Sequence, residues 1–257
     1  MENFYLITFL SLLGSFILVT ILIPKISWIV QRRNLIDHPD DRSSHKNSTP
    51  TMAGVAFFLT IIFMVNIIQG WDVDAIGINL IAAIALMFAV GLKDDLVIST
   101  PRAKLGAEIL AIFFILFCSS LKVSSLEGFL GIQNIPSFIS YALIILMILT
   151  IVNSYNMIDG IDGLASTIGI VIFSVFGYIF YTLGLNFSFL FCLCLIGILL
   201  AYLRFNLSKT NKIFMGDTGS LIIGFCIGFL SLKLLSTDPA LLIEHYFKPE
   251  NSIIIIG

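Results

Sequence analysis

Four groups of polar side chains, rich in Asp and Asn, interrupt a chain that is otherwise strongly apolar. They are DHPDDRSSHK at 37–46, KDD at 93–95, NSYNMIDGID at 153–162 and GDTGS at 216–220, and each lies at one end of a hydrophobic run. Acidic groups are costly inside a bilayer, so such groups at the ends of apolar helices indicate a functional site. The pattern predicts a polar, metal-binding active site at one membrane face.

The third group has the most informative spacing. Asn153, Asn156, Asp159 and Asp162 recur every third residue, which keeps neighbouring side chains on roughly one side of a helix or tight turn. Capping of a helix end by Asp and Asn is the alternative explanation, but four such residues exceed what capping needs. We therefore interpret them as oxygen and amide ligands directed at one bound group.

The other acidic residues are weaker indicators in isolation. Asp94 and Asp95 are adjacent carboxylates, which can share a hard cation or divide the roles of charged ligand and proton acceptor. Asp217 begins a long apolar run, where an ordinary N-cap explains it equally well. Their occurrence at the same face favours a shared site. Oxygen and amide ligands without His or Cys clusters favour Mg²⁺, with Mn²⁺ as the alternative, over Zn²⁺.

Basic side chains accompany these acids. Arg42, His45 and Lys46 lie in the first long polar loop, and Lys104 follows the acidic pair by about ten residues. Lysine and arginine bind phosphate, so the combination fits a phosphorylated substrate beside a cation. Anchoring at the membrane surface is the alternative for the basic residues, and His45 can equally be a solvated loop residue.

The composition predicts an all-α, polytopic membrane protein. Of the 257 residues, 58% are hydrophobic and 12% are charged, with a mean hydropathy of +1.03. Runs long enough to cross a bilayer predict a bundle of about eight transmembrane helices within one domain, residues 1–257. The net charge of -2, without a basic patch, argues against nucleic-acid binding. The expected spans are 4–24, 53–69, 76–92, 105–121, 137–153, 163–182, 186–203 and 217–235.

The basic residues also predict the orientation. With the loops assigned alternately, eleven Lys and Arg residues fall on one side of the membrane and three on the other. The positive-inside rule makes the first side cytoplasmic and the N-terminus external. All four polar groups fall on the cytoplasmic side, so we expect an inner-membrane protein whose active site faces the cytoplasm.

The motifs resemble those of a known family. DHPDDRSSHKNSTPTMAG, GLKDDL with TPRAKL, NSYNMIDGIDGLA and FMGDTGSL are similar, over about residues 35–225, to the polyprenyl-phosphate N-acetylhexosamine-1-phosphate transferases. That family moves a sugar-1-phosphate from a UDP-sugar to undecaprenyl phosphate with Mg²⁺, releasing UMP. The D-x-P-x-x-R-x-x-H loop is more similar to enzymes that start O-antigen, enterobacterial common antigen or teichoic-acid synthesis with UDP-N-acetylglucosamine than to the branch using UDP-MurNAc-pentapeptide. The TPTM segment occurs in that branch too.

The resemblance implies roles for individual residues. Asp217 and Asn156 match the Mg²⁺ ligands, Asp94 is expected to orient or activate the lipid phosphate, and Lys104 to contact phosphate. Asp162 is a candidate for contacting the uracil. The full implied set is catalytic Asp94, Asp95, Asp159 and Lys104, substrate-binding Asn153, Asp162, Lys46, His45 and Arg42, and metal-binding Asp217 and Asn156.

The chain departs from the family pattern in three places. Ala53 stands where the first of two glycines is usual, and Glu108 stands where a Gln often follows the lysine. The family continues through further spans and a cytoplasmic His/Arg-rich loop, whereas residues 252–257 resemble the start of a span that stops. From this we expect a truncated chain that lacks the C-terminal part of the family fold and turns over slowly.

The expected partners are a UDP-N-acetylhexosamine, undecaprenyl phosphate and membrane lipid, with a homodimer left open. Three rivals to an active transferase also remain open. An ion-coupled transporter uses acids at broken helices, but such sites lie near mid-membrane rather than at one end of the helices. A CDP-alcohol phosphatidyltransferase needs an Arg soon after its first Asp-Gly, which DGIDGLAST lacks. An inactive remnant is the third.

Overall fold

The structure, a computed structural model, describes residues 2–33, 36–37, 49–72, 75–97, 100–117, 121, 123 and 135–245. Apart from one pairing of two-residue strands, β1 (Ile36–Asp37) with β2 (Thr49–Pro50), the regular structure of this part is helical. The α-helices are α1 Glu2–Phe9, α2 Ser15–Arg32, α3 Gly54–Ile68, α4 Gly77–Leu96, α5 Pro101–Leu116, α6 Ser137–Ile158, α7 Leu164–Thr182, α8 Asn186–Asn206, α9 Gly216–Leu235 and α10 Pro239–Glu244.

Seven helices of the described part are long and apolar enough to cross a membrane. The first of them, Phe4–Arg32, joins α1 and α2 through a π-helical turn at Leu10–Gly14. The one expected span without a counterpart among these seven, 105–121, corresponds to α5, whose 16 residues are slightly short for a bilayer. Pro101 lies at the start of this helix, where its fixed φ is favourable, so α5 begins four residues earlier than the apolar run. The prediction of a polytopic helical membrane protein is confirmed.

Helix α9 forms the centre of the bundle. It is hydrophobic around its whole circumference, and 94% of an 18-residue stretch within it is buried, the pattern expected of a helix with protein on all sides. It packs against α3, α4, α6 and α7. Large apolar side chains remain exposed on the outer helices, where lipid is the favourable environment, and they include Ile17, Phe63, Leu146, Val171 and Tyr178.

Glycines allow the backbones of α4 and α9 to approach closely beside the polar groups. A Cβ atom added to Gly91 would lie 2.4 Å from Thr218 Cα and 2.9 Å from Asp217 O. Gly54 at the start of α3 is equally close to α9, since its added Cβ would lie 2.2 Å from Gly219 N. The start of α9 is therefore fixed between two neighbouring helices.

Replacement of Gly91 by alanine tests this packing. The added methyl group must displace backbone, and overpacking of this kind costs about 1–3 kcal/mol. We expect Gly91→Ala to lower the midpoint of thermal unfolding in detergent. Gly106→Ala in α5 is the matched control, because a Cβ there meets nothing within 4 Å, and alanine is favoured in a helix by about 1 kcal/mol. Equal stability of the two variants would contradict the close packing.

Two sets of hydrogen bonds hold the loops on the same side of the bundle as the polar groups. Pro50 O accepts a hydrogen bond from Phe214 N at 2.9 Å, and Phe214 O accepts one from Ala53 N at 3.2 Å. The buried side chain of Asn206 accepts from Gly163 N at 2.6 Å and donates to Ile213 O at 3.3 Å. These contacts join the entry to α3, the entry to α7 and the segment before α9.

Candidate active site

Four helix ends meet at one end of the bundle, and each carries polar side chains. The last turns of α4 and α6 meet the first turns of α5 and α9 there. Lys104 of α5 lies between two carboxylates, with Nζ 3.3 Å from Asp94 Oδ2 and 3.1 Å from Asp217 Oδ2. Residues that are 10 and 113 positions apart are thus in direct contact. The structure thus brings together residues of the second, third and fourth polar groups, whereas residues 38–46 of the first group lie outside the described part of the chain.

Asp217 is the residue with the most contacts in this cluster. Its Oδ1 accepts a hydrogen bond from Asn156 Nδ2 at 2.6 Å, while its Oδ2 faces Lys104. Asn156 Nδ2 also lies 2.7 Å from Ser220 Oγ. The amide nitrogen of Asn156 is thereby engaged, which leaves its oxygen as the atom able to ligate a cation.

The carboxylate of Asp95 has different hydrogen-bond partners from that of its neighbour Asp94. Its Oδ1 accepts from Asp217 N at 2.7 Å, and its Oδ2 accepts from Thr218 N at 3.1 Å and from the Thr218 hydroxyl. These are the free amides of the first turn of α9, which an acidic side chain satisfies favourably. The carboxylate therefore caps α9 from the end of α4 and fixes the backbone of Asp217.

Asp159 lies immediately after α6, at the C-cap position. Burial, together with the negative charges of Asp217, Asp95 and Asp162, raises the pKa of its carboxyl from 3.8 to about 8. Because the uncharged acid is favoured by that environment, a positive group brought close to Asp159 would lower its pKa again. Asp159 thus lies within electrostatic range of the cluster.

The remaining residues predicted from the sequence lie at the edge of the cluster or outside the described part of the chain. Asn153 faces α5, where its Nδ2 donates to Glu108 Oε2 at 2.9 Å. Asp162 pairs with Lys212 at 2.5 Å, and the same ammonium lies 5.1 Å from the centre of the Phe214 ring. The loop residues predicted to bind substrate fall outside the described residues; they are Arg42, His45 and Lys46.

Sequence reasoning did not identify several residues of the cluster. Thr218 and Ser220 lie in the GDTGS motif, whose hydroxyl groups were a signal that could have been used. For Lys212, nothing in the local sequence distinguishes a basic membrane anchor from the partner of an acid 50 residues away.

The donor set fits a magnesium ion better than a metal that needs several protein ligands. In the described ranges, no three His, Cys, Asp or Glu side chains are grouped as metal ligands. Mg²⁺ is usually bound through one or two carboxylates together with waters and substrate phosphates. The Asp217 carboxylate and the Asn156 amide, beside a lysine suited to phosphate, meet that requirement.

Comparison with known proteins identifies the family. The model of glycosyl transferase family 4 matches residues 77–235, which include α4 to α9 and every residue of the cluster. The chain belongs to glycosyl transferase family 4. Phospho-N-acetylmuramoyl-pentapeptide-transferases are among its relatives. The Staphylococcus saprophyticus protein is 29% identical over 98% of this chain and 83% of its own length. The Staphylococcus haemolyticus protein is 30% identical over 98% of this chain and 83% of its own length. The Listeria monocytogenes protein is 30% identical over 93% of this chain and 77% of its own length.

Family membership confirms the resemblance drawn from the motifs and has two consequences. The protein is a transferase of the phospho-sugar type, which disfavours the ion-coupled transporter and the CDP-alcohol phosphatidyltransferase. It is also a multi-pass membrane protein, in agreement with the seven long apolar helices among the residues that the structure describes. The names of these relatives do not support the N-acetylglucosamine branch in particular.

Proposed function

We propose that this protein transfers N-acetylglucosamine-1-phosphate from a UDP-sugar to undecaprenyl phosphate, releasing UMP, and so starts the synthesis of a cell-envelope polysaccharide. The observation that carries the proposal is the placement of Lys104 between Asp94 and Asp217, with Asn156 on the other side of Asp217. A cation-binding pair and a phosphate-binding lysine then lie side by side at the ends of membrane helices. That location suits a reaction between a soluble nucleotide sugar and a lipid phosphate.

Each residue of the cluster has a distinct part in this scheme. Asp217 and Asn156 hold Mg²⁺, or Mn²⁺, through their oxygens. When bound, the cation neutralises charge on the donor diphosphate. Lys104 moves from its carboxylate partners to an oxygen of the β-phosphate and stabilises the charge that accumulates during transfer.

Asp94 orients the acceptor. An oxygen of the lipid phosphate forms a bond to the β-phosphorus, and the bond from that phosphorus to the bridging oxygen breaks, so that UMP leaves. Asp94 aligns the acceptor for this attack, and Asp95 keeps Asp217 in position by capping α9. Phosphoryl transfer depends chiefly on such positioning and on charge stabilisation.

Orientation in the membrane follows from the basic residues. The Lys and Arg asymmetry favours the inner membrane, with the cluster facing the cytoplasm where UDP-sugars are made available. Arg42, His45 and Lys46 precede α3 in sequence, and we propose that they contact the nucleotide or its phosphates. Asp162, paired with Lys212 at the edge of the cluster, is proposed to contact the uracil.

The names of the relatives support a second candidate for the donor substrate. Each of those described above is named a phospho-N-acetylmuramoyl-pentapeptide-transferase, so UDP-MurNAc-pentapeptide is the alternative donor for this chain. The two donors share the UDP and diphosphate groups, which the cluster would hold in the same way. They differ in the sugar substituent.

One vesicle experiment tests both the donor and the orientation. Inside-out and right-side-out membrane vesicles containing the protein are supplied with each radiolabelled UDP-sugar and undecaprenyl phosphate, with and without EDTA. We expect labelled lipid to form from UDP-N-acetylglucosamine in inside-out vesicles and to disappear with EDTA. Product from the pentapeptide donor alone would move the protein to the other branch, while product in sealed right-side-out vesicles would overturn the orientation.

A further inference from the structure

Glu108 is a buried acid beside the cluster with one carboxylate oxygen unsatisfied. It lies on α5 one helical turn after Lys104, and its side chain is 1% exposed. Oε2 accepts a hydrogen bond from Asn153 Nδ2 at 2.9 Å. Oε1 is buried and has no hydrogen-bond partner. The acid therefore has an acceptor available inside the protein.

The position of Glu108 relates it to the metal-binding pair. On α6, Asn153 lies three residues before Asn156, so the two side chains share one face of that helix. On α5, Glu108 lies four residues after Lys104, so these two also share one face. The contact between Glu108 and Asn153 thus lies one turn deeper than the contacts of Asp217 with Lys104 and Asn156. Glu108 also interacts electrostatically with Lys104 and with Asp217. Glu108 therefore borders the cluster on the side that faces the interior of the bundle.

An unsatisfied acceptor at this depth calls for a ligand. Leaving a buried polar group unpaired costs about 1–3 kcal/mol, and more for a charged group. A neutral amide at position 108 could accept the hydrogen bond of Asn153 equally well, so that contact does not explain a carboxylate. A donor that arrives with the ligand would satisfy Oε1, and the waters that remain on a bound magnesium ion are such donors.

We propose that Glu108 Oε1 accepts a hydrogen bond from a water in the hydration shell of the divalent cation held by Asp217 and Asn156, and thereby raises the affinity of the site for that cation. The inference rests on the proposed function, because that function supplies the cation. Glu108 is a positioning residue in this account, since it touches the cation's water and not the reacting phosphates. Its negative charge adds to the attraction for the cation without entering the coordination sphere.

Titration with Mn²⁺, followed by electron paramagnetic resonance without substrate, tests the inference on the purified full chain. Glu108→Gln keeps the side-chain volume and removes the charge. We expect its Mn²⁺ affinity to fall about 10- to 100-fold, the usual effect of losing a hydrogen-bonding partner of a metal ligand. The metal-free unfolding midpoint should be unchanged or higher, because a buried charge has been removed. Glu108→Asp, which keeps the charge, should have intermediate affinity.

Glu244→Gln is the matched control, because Glu244 is exposed on α10, which follows the end of α9 opposite the cluster. This variant should bind Mn²⁺ like the native protein. Unchanged Mn²⁺ affinity in Glu108→Gln would overturn this inference and leave the proposed function intact. So would a loss of UDP-sugar affinity at saturating Mn²⁺ with no loss of Mn²⁺ affinity, since the acid would then face the substrate. Absence of Mn²⁺ binding by the native chain would refute the proposed cation site and this inference together.

Discussion

Replacement of Asp217 by asparagine is expected to reduce transfer about a thousandfold while the protein remains folded. Asparagine keeps the side-chain volume, and the backbone amide of residue 217 can still donate to Asp95. What is lost is the charge that holds the cation and balances Lys104. Charge stabilisation by a metal contributes several kcal/mol to such reactions, and each 1.36 kcal/mol is a factor of ten in rate.

The measurement for Asp217→Asn is formation of labelled lipid from a radiolabelled UDP-sugar across a range of Mg²⁺ concentrations. Asp238→Asn is the control, because Asp238 is exposed and caps α10, and asparagine is an equally good cap. The control should retain native activity. Native activity in Asp217→Asn would remove this carboxylate from the metal site.

Replacement of Lys104 by methionine is the second change with a large expected effect. Methionine has similar length without the charge, so Asp94 and Asp217 lose the ammonium that lies within 3.3 Å of both. We expect kcat to fall about 100- to 1,000-fold, the cost of removing one group that stabilises developing charge. The KM for the UDP-sugar should change much less, because the contact strengthens during transfer.

Arg102→Met provides the comparison for Lys104→Met, since Arg102 is exposed on the same turn of α5. Its transfer rate should stay close to that of the native chain. A Lys104→Met protein that differs from native only in KM would contradict a role in the transition state. It would instead assign Lys104 to ground-state binding of the donor.

Much of the architecture could be predicted from the sequence because hydrophobic length is a strong signal in membrane proteins. The apolar runs predicted the helices, and the position of the acids at their ends predicted one shared cluster. The boundaries were less accurate. Helix α4 extends through Asp94 and Asp95 to Leu96, and α6 continues through Asn156 to Ile158. Polar residues continue a helix beyond the bilayer without cost, so hydropathy does not indicate where it ends.

The individual contacts were not accessible from a single sequence. Asp94 and Asp95 are chemically identical neighbours, yet one contacts Lys104 and the other caps α9. Adjacent helical residues point in directions about 100° apart, so their partners depend on which helices flank α4. The contact of Glu108 with Asn153 likewise depends on the packing of α5 against α6. The roles of all these residues in transfer stay predictions until the variants are measured.

In the proposed reaction, the sugar moves to the lipid together with its phosphate. A UDP-sugar labelled with ³²P at the β-phosphate separates phospho-sugar transfer from simple glycosyl transfer. With purified chain, undecaprenyl phosphate and Mg²⁺, we expect the label to enter the lipid while unlabelled UMP is released in equal amount. Label remaining in released UDP, with sugar on the lipid, would show that the glycosidic bond had been cleaved and would contradict the account.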